Sequence, residues 1–388
     1  MTLNKINIAV ATGTRADYGI YKNLLKRLKD NQQINSSLII SGMHLSPYFG
    51  ATKNIIFNEK LYDDFFIIDN LFQSDLSTSM SKELSVVISQ FANLLDQKEF
   101  DAIIVLGDRV EMLGFAMTAS LSNIPVIHIH GGEKSGSIDD NIRHAVTKLS
   151  HLHLVSNTHS YNRILNLGEE DSRVKNIGSL RLENMKDFNF SSKESLLKIL
   201  AENQIKLVSD HYYLLVFHPV TNEQNTLKKD IVFIIDYLLS KEKDLVIVHP
   251  NSDFGTNEIS EAIKVIKNER VHIAYNFSPD DYLQVLNFSS GLIGNSSSGI
   301  IEAASFKVPV INVGTRQSQR DRSTNILDVD NVGLEFEKQF NYMNSESFKE
   351  IVNNTENIYF MEKSSEVALD FILGNISNKN LLVKRLTY

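Results

Sequence analysis

Residues 291–313 combine two apolar runs with a small polar turn whose donors suit an anion. The turn, residues 295–299, reads Asn-Ser-Ser-Ser-Gly and precedes a segment, residues 300–306, with helical spacing. Backbone N–H groups at a helix start lack partners inside the helix and attract negative charge, and hydroxyls supply further donors. The candidate phosphate ligands in this turn are Ser296, Ser297 and Ser298. An ordinary polar loop with an N-cap serine is the alternative.

Glu302 and Arg316 extend this candidate site. Glu302 lies one helical turn beyond the serines, where its carboxylate can accept hydrogen bonds from a ribose diol. Arg316 follows the second apolar run in a Gly-Thr-Arg sequence and supplies a cation. A second Gly-Thr-Arg turn places Arg15 after the first apolar run of the chain, and an arginine there suits bidentate pairing with a pyrophosphate. A surface arginine is the alternative for Arg15.

Acidic residues also follow predicted strands or begin a predicted helix. Asp108 and Arg109 follow the apolar run of residues 101–106, and Glu133 follows the apolar run of residues 125–130. Asp139 and Asp140 begin a helix that carries Arg143 one turn later. Asp108, Glu133 and Asp139 together supply the carboxylates that general acid/base catalysis needs. For Asp139, a capping role and surface ion pairs are the alternative.

His128 and His130 lie two residues apart on a predicted strand, and therefore on one face, with Glu133 just beyond them. A metal site is conceivable, since His151 and His153 repeat the spacing. No further ligand cluster at tight spacing completes either pair, so we expect hydrogen-bonded histidines and no metal. The GxGxxG fingerprint and the P-loop lysine are both missing, which disfavours nicotinamide and flavin cofactors.

Two sheets are needed to position these residues. Apolar runs alternate with helical segments from residue 6 to residue 155, and the alternation restarts near residue 175. This pattern predicts α/β domains with parallel, doubly wound sheets, which bind ligands at the carboxyl ends of their strands. His218 and Asn251 follow runs of the second half in that way. We predict Rossmann-like domains over residues 1–177 and 178–364 that face each other across a cleft.

The C-terminal helix, within residues 365–388, is predicted to pack back on the first domain, and the tail from Asn375 to form a solvated end. The 388 residues suffice for two domains, and 42% apolar and 22% charged content is ordinary for a soluble enzyme. The net charge of −8 disfavours nucleic acid and acidic membranes as partners. Cysteine is absent, and neither a signal peptide nor a membrane-spanning run is recognisable, so we expect a cytoplasmic protein.

Several motifs, in this order, resemble one enzyme family. They are GTRADYG, LGDR, HIHGGE, GSIDDNIRHAVTKLSHLH, VFHP, HPNSD and GNSSSGIIEAASFKVPVINVGTRQSQR. The chain looks like the hydrolysing UDP-sugar 2-epimerases, the sialic-acid-pathway branch of the UDP-N-acetylglucosamine 2-epimerase family, from residue 6 to about residue 322. The resemblance implies a GT-B-type pair of domains with UDP in the cleft, a homodimer or a dimer of dimers, and no cofactor.

The resemblance also assigns roles by position. The UDP contacts would be Arg15, Arg109, His218, Asn251, Ser296, Ser297, Ser298, Glu302 and Arg316. The acid/base set would be Asp108, Glu133 and Asp139, with Arg143 orienting Asp139. Other branches of the family have a glutamate before Gly-Gly or Ala-Gly, where this chain has His130. Whether His130 or Glu133 takes over that role stays open.

The implied reaction converts UDP-N-acetylglucosamine and water to N-acetylmannosamine and UDP for sialic acid biosynthesis. Loss of the C2 proton and of UDP would give a 2-acetamido glycal, and water would then add with inverted C2. The same reaction on UDP-N,N'-diacetylbacillosamine, on the way to legionaminic acid, is the alternative within the family. A GT-B glycosyltransferase and a sugar-nucleotide-binding protein without turnover are alternatives from other classes.

Overall fold

The computed structural model describes residues 5–47, 52–72, 78–135, 139–185, 192–218, 224–249, 263, 266–275 and 277–387. Internal contacts divide the chain into two compact units. The first comprises Met1–Asn184 with Tyr359–Tyr388, and the second comprises Met185–Ile358. None of the helices in the described ranges combines the length and the apolar content that a membrane span requires.

The first unit contains a seven-stranded parallel sheet with helices between its strands. The strands are β1 (Ile6–Thr12), β2 (Ile34–Ser41), β3 (Asp64–Ile68), β4 (Ala102–Leu106), β5 (Val126–Ile129), β6 (Leu152–Val155) and β7 (Val174–Asn176). The helices are α1 (Arg15–Asp30), α2 (Lys53–Glu59), α3 (Ser79–Leu95), α4 (Val110–Leu121), α5 (Asp139–Leu149) and α6 (Thr158–Asn166). The strand order is β3-β2-β1-β4-β5-β6-β7, so the chain changes direction between β1 and β4. Ligand sites of such sheets lie at that switch point.

β1 illustrates why the continuous apolar runs become central strands. Ile8 and Val10 belong to the core on one face of the sheet, and Ala9 and Ala11 belong to the core on the other. A strand buried on both faces needs apolar residues at every position, which is the pattern of a parallel sheet covered by helices. α1 then begins at a capping box, in which the Thr14 hydroxyl accepts from the Asp17 backbone N–H.

The second unit contains a six-stranded parallel sheet of the same kind. Its strands are β8 (Tyr212–Val216), β9 (Asp244–Val248), β10 (Val271–Ala274), β11 (Gly291–Gly294), β12 (Val310–Val313) and β13 (Ile326–Val329). Its helices include α7 (Lys193–Glu202), α8 (Gln224–Ser240), α9 (Pro279–Asn287), α10 (Ser297–Ile301), α11 (Leu334–Met343) and α12 (Glu346–Asn353). The order β10-β9-β8-β11-β12-β13 puts the switch point between β8 and β11. Two parallel, doubly wound α/β units confirm the expected fold class.

The boundaries of the units differ from those read from the sequence. The first unit extends to residue 184 rather than 177, and the chain returns to it at Tyr359 rather than 365. Ile177 and Leu180 are buried in the core of the first unit, and the Ser179 N–H donates to the Tyr359 carbonyl at 2.7 Å. These contacts join segments far apart in the chain, and for that reason local sequence patterns do not reveal them.

The tail of the chain is largely exposed, as its composition predicted, and it is also anchored to the first unit. Arg173 donates to the backbone carbonyls of Leu381 and Val383 at 2.6 and 2.7 Å. Lys384 donates to the carbonyl of Ser150 at 2.7 Å and lies 2.8 Å from Glu169. The sequence did not predict these contacts, because backbone carbonyls, which composition does not register, are the main partners of these two cations. The preceding helix, Ser364–Ile376, packs against α1 in the same unit.

Candidate active site

A buried guanidinium connects the predicted acids of the first unit. Arg143 on α5 is only 3% exposed and forms an ion pair with Asp108, which follows β4. Its Nη1 donates to the backbone carbonyl of His130 at 3.0 Å and lies 3.9 Å from Glu133 Oε2. Its Nε lies 3.9 Å from Asp140. One side chain thus links the ends of β4 and β5 to the start of α5.

Arg143 therefore contacts Asp108 and Glu133. That it also orients Asp139 stays a prediction. Asp139 is half-buried at the first position of α5. A helical side chain leans toward the N-terminus of its helix, and the long guanidinium of Arg143 thereby reaches the strand ends beyond the first turn of α5. The catalytic role of Asp139 stays a prediction.

A tight turn after β5 places Glu133 in a buried position. His130 has a φ of 62° and Gly132 a φ of 75°, both in the left-handed region. A Cβ at Gly132 would lie 2.5 Å from the Ser160 carbonyl oxygen, so only glycine fits this close to α6. Glu133 Oε1 accepts from the Ser156 hydroxyl at 2.7 Å and lies 3.6 Å from His130 Nδ1. The turn thus brings one carboxylate, Glu133, close to Arg143, with the His130 imidazole beside it.

The other strand histidines have structural partners. His128 Nε2 donates to the Gly107 carbonyl at 2.8 Å, and its Nδ1 lies 3.2 Å from the Thr147 hydroxyl. Burial lowers the pKa of His128 to about 3, so the ring is neutral near pH 7. His153 lies 3.2 Å from Glu169. Within the described ranges, no group of three or more histidine, aspartate or glutamate side chains is arranged to hold a metal ion.

A second charged cluster lies at the ends of β1 and β4, and the sequence analysis did not single out its acids. Arg109 donates to Glu111 at 2.5 Å, and Glu111 is almost completely buried. Asp17 accepts from the backbone N–H groups of Gly13 and Thr14 at 3.2 and 3.0 Å. Arg15 is exposed at the first position of α1. The Thr-x-x-Asp spacing of the capping box was the available signal for Asp17, and no local pattern marks Glu111.

Asp17 makes the stability of the protein depend on pH. Burial raises the pKa of its carboxyl from 3.8 to about 6, with Arg109 opposing the rise and Glu111 adding to it. The folded state therefore binds the proton more tightly than the unfolded state, and ionised Asp17 destabilises the fold above about pH 6. Below pH 3.8 the group is protonated in both states and contributes nothing.

We expect Asp17→Asn to become more stable relative to the wild type as the pH rises from about 4 to about 7. Asparagine still accepts from the Gly13 and Thr14 N–H groups and carries no charge. The difference should amount to roughly 2–3 kcal/mol, because one pH unit corresponds to about 1.4 kcal/mol. Urea unfolding at both pH values measures it, with Asp30→Asn, an exposed acid at the other end of α1, as the control. A difference that stays constant with pH would contradict the prediction.

In the second unit, candidate phosphate ligands converge at the ends of β8, β11 and β12. Asn295 follows β11, and its side chain forms two hydrogen bonds with the backbone of His218, which lies just beyond β8. Arg316, beyond β12, donates to the Asn295 carbonyl at 2.8 Å. Burial and the nearby Arg316 lower the pKa of His218 to about 4, so its ring is neutral near pH 7. These residues surround the polar turn of Ser296–Ser298.

The serine turn is internally hydrogen-bonded. The Ser296 hydroxyl accepts from the Ser298 N–H at 3.3 Å and lies 3.0 Å from the Ser298 hydroxyl. The Ser298 hydroxyl also contacts the Tyr282 hydroxyl. Ser297 is half-buried at the first position of α10, and Glu302 is 3% exposed just after that helix. Asn251, predicted to line the sugar-nucleotide site, lies outside the described residues.

The helix after the serine turn is shorter than the sequence predicted. α10 ends at Ile301, and a separate 3-10 turn follows over Ala303–Phe306. Lys307 closes that turn with a φ of 55°. A five-residue helix has a small dipole, since the macrodipole is a sum over aligned peptide units. The helix dipole alone is therefore a weak basis for an anion site here, and the predicted phosphate site depends chiefly on side chains.

Comparisons with known proteins agree with the order of the motifs. The family model described as UDP-N-acetylglucosamine 2-epimerase matches residues 26–373. The UDP-N,N'-diacetylbacillosamine 2-epimerase (hydrolyzing) of Legionella pneumophila is 36% identical over 328 residues, which cover 83% of this chain and 85% of that protein. The polysialic acid biosynthesis protein P7 of Escherichia coli is 34% identical over 377 residues, or 96% of this chain and 95% of that protein.

The fold has close counterparts among solved structures. The crystal structure of UDP-GlcNAc 2-epimerase from Neisseria meningitidis bound to UDP-GlcNAc matches with a TM-score of 0.81. The match covers 95% of this chain and 100% of that chain, at 16% sequence identity. At this identity the likeness shows the fold alone, a GT-B-like pair of α/β units.

Proposed function

This chain belongs to the UDP-N-acetylglucosamine 2-epimerase family, and we propose that it is a hydrolysing member acting on UDP-N-acetylglucosamine. The products would be N-acetylmannosamine and UDP, for use in sialic acid biosynthesis. The observation that carries this proposal is the cluster of Asp108, Glu133 and Arg143 in a chain of this family, in which Glu133 and Arg143 are buried and Asp108 is half-buried. Such a cluster holds two carboxylates in fixed positions, as proton transfer at a sugar carbon requires.

The proposed reaction begins with elimination. The C1–O bond to UDP breaks with its electron pair passing to UDP, and a base removes the C2 proton as the C1–C2 double bond forms. Because the C2–H bond is barely acidic, departure of UDP has to lead, and positive charge develops at C1. A nearby carboxylate stabilises that charge, and cationic or hydrogen-bonding groups stabilise the leaving diphosphate.

Hydration completes the proposed reaction. Water adds its hydroxyl to C1 of the glycal, and an acid delivers a proton to C2 on the face opposite to the one deprotonated. Asp108, Glu133 and Asp139 are the proposed acid/base groups, and His130 is a further candidate because it lies 3.6 Å from Glu133. The sequence of steps changes no overall oxidation state, so the proposal includes no redox cofactor.

The UDP contacts are proposed mainly from the second unit. His218, Ser296, Ser297, Ser298 and Arg316 suit the diphosphate, and Glu302 suits the ribose. Arg15 and Arg109 of the first unit are further candidates for the diphosphate. Arg109 is paired with Glu111, which partly neutralises its charge.

UDP-N,N'-diacetylbacillosamine is a second candidate substrate. The relative from Legionella pneumophila carries that substrate in its name and is 36% identical to this chain. The chemistry at C1 and C2 would be the same, because the two sugars differ at C4 and C6. A GT-B glycosyltransferase is less favoured, since it needs an acceptor site and does not need acids at Asp108, Glu133 and Asp139.

Incubation with each sugar nucleotide alone tests these proposals. We expect UDP-N-acetylglucosamine to yield UDP and free N-acetylmannosamine in equal amounts. Preferential turnover of UDP-N,N'-diacetylbacillosamine would select the second substrate. Release of UDP only when a sugar acceptor is present would instead indicate a transferase, and no release from either compound would contradict both epimerase proposals.

The UDP contacts can be tested separately from turnover. We expect Glu302→Ala and Ser297→Ala each to weaken UDP binding by roughly 1–3 kcal/mol, the scale of losing one hydrogen-bond partner in a buried site. Isothermal titration calorimetry with UDP measures this, and Ser290→Ala, at the opposite end of β11, is the matched control. Unchanged affinity in both variants would remove the serine turn and Glu302 from the UDP site.

A further inference from the structure

Asn295 connects three strand ends through every polar group it has. Its N–H donates to the Val216 carbonyl of β8 at 3.1 Å, and its own carbonyl accepts from Arg316 and Gln317 at 2.8 and 3.2 Å. Its Oδ1 accepts from the His218 N–H at 2.7 Å, and its Nδ2 donates to the His218 carbonyl at 2.9 Å. The residue is 1% exposed. His218 and Arg316, which come from different strands, thus share one buried partner.

The approach of β11 to β8 makes these contacts possible. Gly294 has a φ of 145°, and a Cβ there would collide with the Val216 carbonyl oxygen. The next residue therefore meets the end of β8 at hydrogen-bonding distance. The His218 backbone presents one donor and one acceptor, and among side chains of this size an amide satisfies both.

Arg316 is oriented without losing its charge at this contact. Its guanidinium donates to a backbone carbonyl of Asn295, which carries no net charge. A carboxylate in the same place would neutralise the cation and reduce its attraction for an anion. The contact with Asn295 therefore fixes the guanidinium without adding a negative charge of its own.

We propose that Asn295 is a positioning residue. It holds His218 and Arg316 beside the serine turn, so that one diphosphate contacts His218, Arg316 and the serines together. The inference rests on the proposed UDP site and adds a residue that need not contact UDP itself. Loss of the Asn295 side chain should therefore weaken UDP binding by moving its ligands.

Asn295→Asp and Asn295→Ala, compared at two pH values, provide the test. An ionised carboxylate cannot donate to the His218 carbonyl, whereas a protonated carboxyl has nearly the shape of the amide and restores that donor. The charged or titratable groups that contact this position in the described chain are His218 and Arg316, and both are present in the wild type. The ratio of wild-type to variant affinity for UDP at each pH therefore isolates the introduced carboxyl.

Burial at this 1% exposed position should raise the pKa of the introduced carboxyl above its ordinary value. We therefore expect Asn295→Asp to bind UDP about 10- to 100-fold more weakly than the wild type at about pH 8, and to recover part of that loss at about pH 5. Asn295→Ala should be weak at both pH values. A deficit of Asn295→Asp that does not change with pH would indicate general disruption and overturn the inference. Wild-type affinity in Asn295→Ala would do the same.

Further variants keep the test decisive. If the Asn295 variants do not fold, as judged by circular dichroism, Gln317→Leu removes a donor to the same carbonyl and should weaken UDP binding by about 2- to 10-fold. Unchanged UDP affinity in Gln317→Leu would then overturn the inference.

His218→Ala and Ser297→Ala report on the proposed site itself. If these two leave UDP affinity unchanged, the proposed site is wrong. If they weaken binding and Asn295→Ala does not, only the positioning role is wrong.

Discussion

Asp108→Asn and Glu133→Gln are each expected to lower kcat by about 10²–10⁴ while UDP affinity stays close to that of the wild type. Both amides keep the shape of the native side chain and lose its ability to exchange a proton. Asp108 pairs with Arg143, and Glu133 accepts from Ser156 at 2.7 Å, so both carboxylates are held in defined positions. UDP binding should survive because the proposed UDP ligands lie mainly in the second unit.

Steady-state kinetics and calorimetry with UDP measure the two effects separately. Asp139→Asn belongs to the same series, and Asp96→Asn, an exposed acid at the end of α3, is the control for removing a carboxylate. If all three amide variants remain active, these carboxylates have no catalytic role and His130 becomes the next candidate. Low turnover accompanied by equally weak UDP binding would point to a disturbed fold.

Arg143→Met should combine a large loss of stability with a loss of turnover. The guanidinium is 3% exposed and faces Asp108, Glu133 and the His130 carbonyl, so its removal leaves the buried Glu133 and the half-buried Asp108 without this cation. Removing one partner of a buried ion pair typically costs about 3–5 kcal/mol. Turnover should fall as well, since the same contacts fix the two proposed acid/base groups.

Chemical denaturation and kinetics of Arg143→Met can be compared with two other variants. Arg143→Lys keeps the charge but loses the planar fork, and should recover part of the stability and little of the activity. Arg27→Met, which removes a 39% exposed arginine of the same unit, should lower stability by about 1 kcal/mol or less. If Arg143→Met is no less stable than Arg27→Met, the buried cluster does not depend on Arg143.

The parts of the fold buried on both faces were predictable from the sequence. Continuous apolar runs identified β1, β4 and β11, and Asp139 was correctly predicted to begin α5. The edge strand β3 was missed. Its outward-facing residues Phe65 and Ile67 are apolar although they are 41% and 49% exposed. Its sequence, DFFII, therefore lacks the alternation of apolar and polar residues that marks a half-buried strand.

The positions of the site residues were more predictable than their partners. Polar residues after predicted strands identified Asp108, Glu133, His218 and Arg316, because parallel strands end at one edge of a sheet. Arg143 and Asp108 are separated by 35 positions, and Asn295 and His218 by 77. Local spacing carries no information about such pairs, and this is why these contacts of Arg143 and Asn295 were seen only in the structure.

Elimination followed by hydration is tested most directly by turnover in D2O. Whichever UDP-sugar is converted, the C2 proton is lost in the first step and replaced from solvent in the second. We predict a free sugar that carries deuterium at C2 with inverted configuration, detectable by NMR and mass spectrometry. A free sugar that keeps its original C2–H bond and configuration would contradict the mechanism, because it would show that the enzyme only cleaves the C1–O bond.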